Sequence, residues 1–285
     1  MSGVVYLNDN YVAENEAKVS VFDRGFLFAD GVYEVIPVYN GKILFLKEHL
    51  ARLQKNLDLI NIKYLINFLD WQNICNKLIT NNGLDRPLYI QITRGNENRR
   101  NHDYSDDIKP TIVAYSLPPI TLGNCLTAKS INVMTFPDNR WNHCDVKSIA
   151  LLGNILLRQI GKKNGCDEVL LTRSNGFIVE GTTSNYFIVK NNKVITPPLS
   201  SDLLPGITRQ IIIELCKSNN IDFAQENILL EDILNCDEIW LSSSTKELTS
   251  VVRVNNTVIN NGQPGPFWHR IANLYINNIK QILNG

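Results

Sequence analysis

Four strand-length apolar runs stand almost back to back between residues 168 and 196, and they constrain the fold more than any other feature. Glu168–Thr172 leads through Ser174-Asn175-Gly176 into 177–180, and Asn185–Lys190 is followed within a few residues by 194–196. Short runs with turn residues between them fold back as antiparallel neighbours. Parallel neighbours need a crossover of a dozen or more residues, which these gaps do not contain. The pattern is that of an antiparallel meander and excludes a doubly wound β-α-β sheet here.

The N-terminal part carries the same signals. Val4–Leu7 and 11–12 flank Asn8-Asp9-Asn10, and 32–39 leads through Asn40-Gly41 into 42–46. Helical patterns follow over 47–58 and 67–81, then strands over 87–94 and Thr111–Ser116 with a long polar loop between them. Long polar loops are more often functional than short ones. The stretch Leu117-Pro118-Pro119-Ile120-Thr121 reads as a domain boundary. Beyond it lie a strand over 132–135 and a helix ending at Lys163-Asn164-Gly165. Helices over Ile207–Ser218, 231–235 and 267–283 are interleaved with strands over 238–242 and 250–254. The expectation is an α+β chain of two domains. A small N-terminal domain covers 1–117, a linker 118–122, and a larger, mainly antiparallel C-terminal domain 123–285.

Composition narrows the function. Twenty-eight basic side chains balance 28 acidic ones, and no basic block stands out beyond Arg99-Arg100, which argues against nucleic acid or a membrane surface as the main partner. The six cysteines are scattered without a CxxC pair, as reduced thiols are, and the four histidines are dispersed, so no metal site is expected. With no membrane-length apolar run and no export signal at the N-terminus, the expected compartment is the cytoplasm.

Several residues have the chemistry of a site. Lys147 stands where the polar loop from Arg140 gives way to Ile149, Leu152, Ile155, Leu156 and Ile160 at helical spacing. At a helix entrance the positive end of the dipole disfavours a second charge, which keeps an amine neutral and able to form a Schiff base. The other reading is a solvated lysine ahead of a buried helix. Glu180 closes a strand before Gly181-Thr182-Thr183-Ser184-Asn185; it is either an ordinary strand-end acid or the partner of a pyridine nitrogen. Leu204-Pro205-Gly206-Ile207-Thr208 opens a helix whose free N–H groups suit a phosphate, with simple capping by Thr208 as the alternative. Ser242-Ser243-Ser244-Thr245 is a second hydroxyl-rich turn. Arg52 flanks the apolar stripe Leu50, Leu53 and Leu57, as a solvated flank or a phosphate fork. Tyr33 and Val35 share one strand face, and Glu34 and Ile36 the other.

Taken in order, these segments resemble the fold-type IV pyridoxal-phosphate enzymes, and within them the D-amino-acid aminotransferases. The matching blocks are Asp23-Arg24-Gly25, Phe28-Ala29-Asp30-Gly31-Val32-Tyr33-Glu34-Val35, Glu48-His49-Leu50-Ala51-Arg52-Leu53, Thr93-Arg94-Gly95, Cys144-Asp145-Val146-Lys147-Ser148, Glu180 to Asn185 and Gly206-Ile207-Thr208-Arg209. The resemblance implies a C-terminal domain with a pseudo-barrel sheet, pyridoxal 5′-phosphate as cofactor, and a homodimer whose site the partner subunit completes. It implies that Lys147 holds the cofactor and shuttles the proton, that Glu180 faces the ring nitrogen, and that Leu204 packs on the ring. Arg52, Ile207, Thr208 and Ser244 would hold the phosphate, Tyr33 would help position the substrate carboxylate, and Val35 would be a substrate-binding residue beside it. The implied reaction is ping-pong transfer from a D-alanine-like donor to 2-oxoglutarate. A branched-chain L-amino-acid transaminase and an aminodeoxychorismate lyase share the fold. The D-specific enzymes bind the substrate carboxylate with an Arg-x-His loop contributed by the partner subunit of a homodimer. Here the loop runs Arg94-Gly95-Asn96-Glu97-Asn98-Arg99-Arg100-Asn101-His102, with Arg99 at the expected arginine position, Asn101 at the expected histidine position and His102 one residue late. Arg100 is the alternative arginine.

Overall fold

A computed structural model describes residues 3–285 and divides them into two compact units. The first comprises Met1–Thr121 together with Val146–Leu151. Its turn signals make turns. β1 (Val4–Leu7) and β2 (Asn10–Ala13) pair with Leu7 opposite Asn10, and Asn8 and Asp9 take φ of 45° and 67°, as a two-residue hairpin turn requires. A short α1 (Arg24–Phe28), capped by the Asp23 carboxylate, leads to β3 (Gly31–Ile36). The small hairpin of β4 (Val38–Tyr39) and β5 (Lys42–Ile43) turns at Asn40-Gly41. α2 (Leu46–Leu59) and α3 (Phe68–Asn82) follow, then β6 (Leu88–Thr93) and β7 (Thr111–Ser116). The five main strands form an antiparallel sheet in the order β2-β1-β7-β6-β3.

Strand alternation sorts this sheet into two faces. Val32, Ile36, Leu88, Ile90 and Ile92 are buried in one core with Leu50, Leu53, Leu57, Trp71 and Leu78 of the two helices. Tyr33 and Val35 point the other way, where the rings of Tyr33, Tyr89 and Tyr115 form a row with centroid spacings of 5.5 and 4.9 Å. β3 is an edge strand, and the segment around Lys147 closes that edge. Tyr33 donates its N–H to the Lys147 carbonyl at 3.0 Å, Ile149 donates to the Gly31 carbonyl at 3.0 Å, and Ser148 stands opposite Val32. Val146 is buried in the same core.

The second unit comprises Leu122–Asp145 and Leu152–Gly285. Its strands are β8 (Ile131–Pro137), β9 (Glu168–Thr172), β10 (Phe177–Gly181), β11 (Asn185–Lys190), β12 (Lys193–Thr196), β13 (Phe223–Gln225), β14 (Ile228–Leu229), β15 (Glu238–Ser243), β16 (Glu247–Val254) and β17 (Thr257–Val258). Its helices are α4 (Leu152–Lys163), α5 (Ile207–Ser218), α6 (Leu230–Leu234) and α7 (Pro266–Asn284). The sheet runs β13-β12-β11-β15-β16-β8-β9-β10-β14, with β17 beside β16. Antiparallel pairs predominate; β12–β13, β16–β8 and β8–β9 are parallel.

The two edges of this sheet are consecutive in sequence, for β13 ends at Gln225 and β14 begins at Ile228. Three chain steps reach at most ~11 Å. Laid flat, the eight strand spacings between those edges would separate them by about 38 Å. The sheet therefore curls until its edges nearly meet, the pseudo-barrel implied by the resemblance. No helix among the described residues is long and apolar enough to cross a membrane.

Two sequence expectations need correction. Lys147 does not stand at a helix entrance: α4 starts at Leu152, five positions later, so the dipole argument for its amine does not apply. The apolar stripe of α4 is not its buried face either. Leu152, Ile155 and Leu156 are 69, 54 and 56 % exposed, while Leu157 and Gly161 are buried. Gly161 decides this, because a β-carbon there would lie 2.6 Å from the Val169 side chain; the helix sits on the sheet through its smallest residue.

Candidate active site

The first unit gathers Lys147, Tyr33 and a buried ionic group. The Lys147 Nζ lies 4.2 Å from the centre of the Tyr33 ring, close enough for a cation–π contact. On the other face of β3, Glu34 is fully buried and accepts from Arg52 through Nε at 2.7 Å and NH2 at 2.8 Å, and from His49 Nδ1 at 2.7 Å. Burial alone would raise the Glu34 carboxyl, but Arg52 and His49 outweigh it and hold it far below the usual carboxylate range. Burial lowers His49 despite Glu34 beside it. The consistent assignment is an ionised Glu34, a charged Arg52 and a neutral His49 that donates from Nδ1. Arg52 is thus buried and ion-paired, not a solvated flank.

In the second unit Glu180 is the hub. It is 4 % exposed, and burial pushes its carboxyl up, against the pull of Arg140 and of a backbone donor. Arg140 NH1 reaches Oε1 at 2.8 Å, and the Leu204 N–H donates to Oε2 at 3.0 Å. Asp138 fixes Arg140 by accepting three hydrogen bonds, from its backbone N–H and Nε at 3.0 Å each and from NH2 at 2.9 Å, and Arg173 backs Asp138 at 3.4 Å. The Asn185 amide bridges the Leu204 carbonyl at 2.9 Å and Glu180 at 3.4 Å. Gly206 is required here, since a β-carbon would fall 2.1 Å from the Asn185 Oδ1. No side chain caps α5, which begins one residue later. Ser242 stands directly opposite Asn185 on β15, and its buried Oγ has no hydrogen-bond partner. Uncapped helix N–H groups and an orphaned hydroxyl are donors in want of an anionic acceptor.

The long polar loop belongs to the first unit. Gly95 opens it at φ 103°, where a β-carbon would lie 1.9 Å from the Lys109 carbonyl oxygen. Glu97 accepts the Ser105 N–H at 2.6 Å and also its hydroxyl, tying the two arms together. Beyond that latch, the Phe28 ring is approached by the Arg100 guanidinium at 5.1 Å and by the His102 ring at 5.2 Å. Arg99 is exposed beside Glu97.

Residues 31–254 match the family model for amino-transferase class IV. The D-alanine aminotransferase of Bacillus licheniformis is 33 % identical over 276 residues, covering 96 % of each chain. The chain belongs to the class IV aminotransferases. A protein of Methanocaldococcus jannaschii provisionally named a branched-chain-amino-acid aminotransferase is 35 % identical over 264 residues, 92 % of this chain and 91 % of that one. Among solved structures, the branched-chain amino acid aminotransferase of Escherichia coli superposes with a TM-score of 0.91 at 23 % identity, over 97 % of this chain and 94 % of that one. The fold is therefore the two-domain α+β fold of this family.

For this class IV aminotransferase the expected site residues fall into two sets. Lys147, Tyr33, Val35, Arg52, Arg99 and His102 lie in the first unit, and Glu180, Leu204, Ile207, Thr208 and Ser244 in the second. Glu180 and Leu204 are joined by a hydrogen bond, Thr208 is buried in the first turn of α5, and Ser244 is half-buried in the turn after β15. Sequence reading did not single out Arg140, Asp138 or Glu34 as partners of these groups. Alternation along β3 was the available signal for Glu34, for a carboxylate on a face of valine and isoleucine must have a cation opposite it.

Proposed function

We propose that the chain transfers the amino group of a D-amino acid such as D-alanine to a 2-oxo acid such as 2-oxoglutarate, with pyridoxal 5′-phosphate as cofactor. The observation that carries the choice of substrate is Arg100-Asn101-His102. It is an Arg-x-His sequence whose histidine falls one residue past the expected position, and its arginine and histidine share the Phe28 ring. Arg100, with His102 beside it, is thus the carboxylate-binding arginine of this reading, and Arg99 is the alternative.

The donors of the site fit the cofactor. The uncapped start of α5 at Ile207 and Thr208 and the orphaned Ser242 Oγ suit a phosphate, with Ser244 in the next turn. Arg52 adds a charge that Glu34 keeps in place. When bound, pyridoxal phosphate supplies an aldehyde carbon that takes up nitrogen and a ring that accepts the electron pair released at Cα. Lys147 would hold that carbon through Nζ, give it up to the substrate amine, and take the proton released at Cα. Glu180, which burial pushes up and the paired Arg140 pulls back down, would face the ring nitrogen and hold a proton there. Leu204 would pack on the ring, and Tyr33 and Val35 would line the substrate side. The donor would leave as its 2-oxo acid, with its nitrogen retained on the cofactor and water supplying the oxo oxygen, and the second 2-oxo acid would collect that nitrogen in the reverse sequence, releasing water.

Two copies of the chain make the active species. The exposed Leu152, Ile155 and Leu156 of α4, and Val19, Val21, Phe22 and Phe26 in the first unit, are apolar surface of the kind a second copy covers. The relatedness to branched-chain enzymes favours transfer from L-leucine as the second reading.

Adding D- and L-alanine, D- and L-glutamate and L-leucine separately to the purified holoenzyme separates these readings. Loss of the cofactor's visible band with the D-amino acids alone is the expected result; loss with L-leucine alone would replace this proposal by the second reading. Lys147→Ala is expected to abolish both the band and turnover.

A further inference from the structure

The loop that carries Arg100 and His102 is pinned by a residue to which no role has yet been given. Arg24, 5 % exposed in α1, sends NH1 to the Asn101 carbonyl at 2.6 Å and the Asp103 carbonyl at 3.5 Å, and NH2 to the His102 carbonyl at 2.9 Å. Its Nε donates to Asp30 at 2.9 Å. Asp30 also receives Arg94, through Nε at 2.8 Å and NH2 at 3.0 Å, and Arg94 gives further hydrogen bonds to the Ile60 and Asn61 carbonyls just past α2. One carboxylate thus fastens two guanidinium groups, one to the end of a helix and the other to three consecutive carbonyls of the loop.

A guanidinium is a rigid planar fork, so carbonyls that converge on it have little freedom left. Fixing the main chain from Asn101 to Asp103 fixes the directions in which the side chains around it leave. The rings agree: Phe28, one turn along α1 from Arg24 and 4.9 Å from its guanidinium, is the ring that Arg100 and His102 both approach. Tyr104 covers the clamp, 5.3 Å from Arg24 and 3.8 Å from Arg94.

We propose that Arg24, anchored by Asp30, is a positioning residue for the substrate carboxylate. It sets the loop backbone so that Arg100 and His102 are presented together on Phe28. This inference rests on the reading of Arg100-Asn101-His102 as the carboxylate-binding sequence.

The test is steady-state kinetics of the holoenzyme on its best amino acid, with Arg24→Lys, Arg100→Ala and the double variant. Arg24→Lys keeps the charge but loses the fork. It is expected to raise KM about tenfold, the worth of one or two hydrogen bonds, while kcat at saturation stays within about threefold. A merely structural role would lower the active fraction, and so kcat, and leave KM alone. In the Arg100→Ala background the Arg24→Lys effect on KM is expected to shrink below about twofold, because the two residues act as one device. An unchanged KM in Arg24→Lys, or a full effect in the absence of Arg100, overturns the inference while leaving the carboxylate reading intact. An unchanged KM in Arg100→Ala overturns the carboxylate reading itself, and the inference with it. Should Arg24→Lys fail to fold, Phe28→Leu, which removes the ring without burying a charge, decides in the same way: a raised KM with retained kcat supports the proposal and an unchanged KM overturns it.

Discussion

Glu34 and Glu180 are both buried carboxylates, and their surroundings push them in opposite directions. Two partners hold Glu34 ionised, whereas burial dominates at Glu180 and Arg140 opposes it. Removing one member of such a buried pair leaves a charge without compensation. Arg140→Met is therefore expected to cost about 3 kcal/mol, most of it absent when Glu180→Gln is already present. Urea unfolding of the four variants measures this coupling; additive effects would show that Arg140 does not support Glu180. His49 gives a pH dependence. Its folded-state pKa is lowered by burial, so the unfolded chain binds the extra proton more readily. Its contribution to stability is complete above the unfolded value of about 6.5 and is lost as pH falls towards the folded value. Glu34, also lowered, adds to the acid loss further down. The melting temperature is expected to fall between pH 7 and pH 5, and to fall less in His49→Gln; equal slopes in the two proteins would refute the assignment. Lys147 and Glu180 were discernible in the sequence as candidates because their chemistry is unusual. Their partners were not, because Arg140 and Asp138 look like any charged pair on a loop until the fold turns them inward.

Elements follow the sequence where the determinants are local. The hairpins at Asn8-Asp9 and Asn40-Gly41 were legible because asparagine and glycine accept left-handed backbone, and strands such as Glu168–Thr172 and Thr111–Ser116 because runs and turns bound them. β13, β14 and β17 were not, being two or three residues long and defined only by their neighbours. The start of α4 was misplaced for a similar reason: Lys147 and Ser148 are spent on the edge of β3, a partner more than a hundred residues away. A glycine at an element boundary offers a sharper test. Gly206→Ala is expected to displace the Asn185 amide and cost about 1–3 kcal/mol, as overpacking does. It should also weaken cofactor retention on dialysis; unchanged stability and retention would mean that Asn185 can move at no cost.

At the scale of the molecule, the proposed dimer makes the exposed apolar face of α4 accountable. Ile155→Glu with Leu156→Glu is expected to shift the sedimentation velocity from dimer towards monomer, and unchanged sedimentation would place the subunit contact elsewhere. The first unit takes in Val146–Leu151, which returns to it from deep inside the remainder of the chain and carries no local signal of that membership. Recombination is constrained by that return. Two related genes joined at the linker would yield a chimera whose β3 comes from one parent and whose lysine segment comes from the other. The Tyr33 N–H and the Gly31 carbonyl would then have to accept foreign partners. Cutting at the linker has a harsher outcome, for a fragment ending at Thr121 lacks Val146 from its core and presents a bare sheet edge to any other chain. The unit that looks separable is inherited only with the lysine attached.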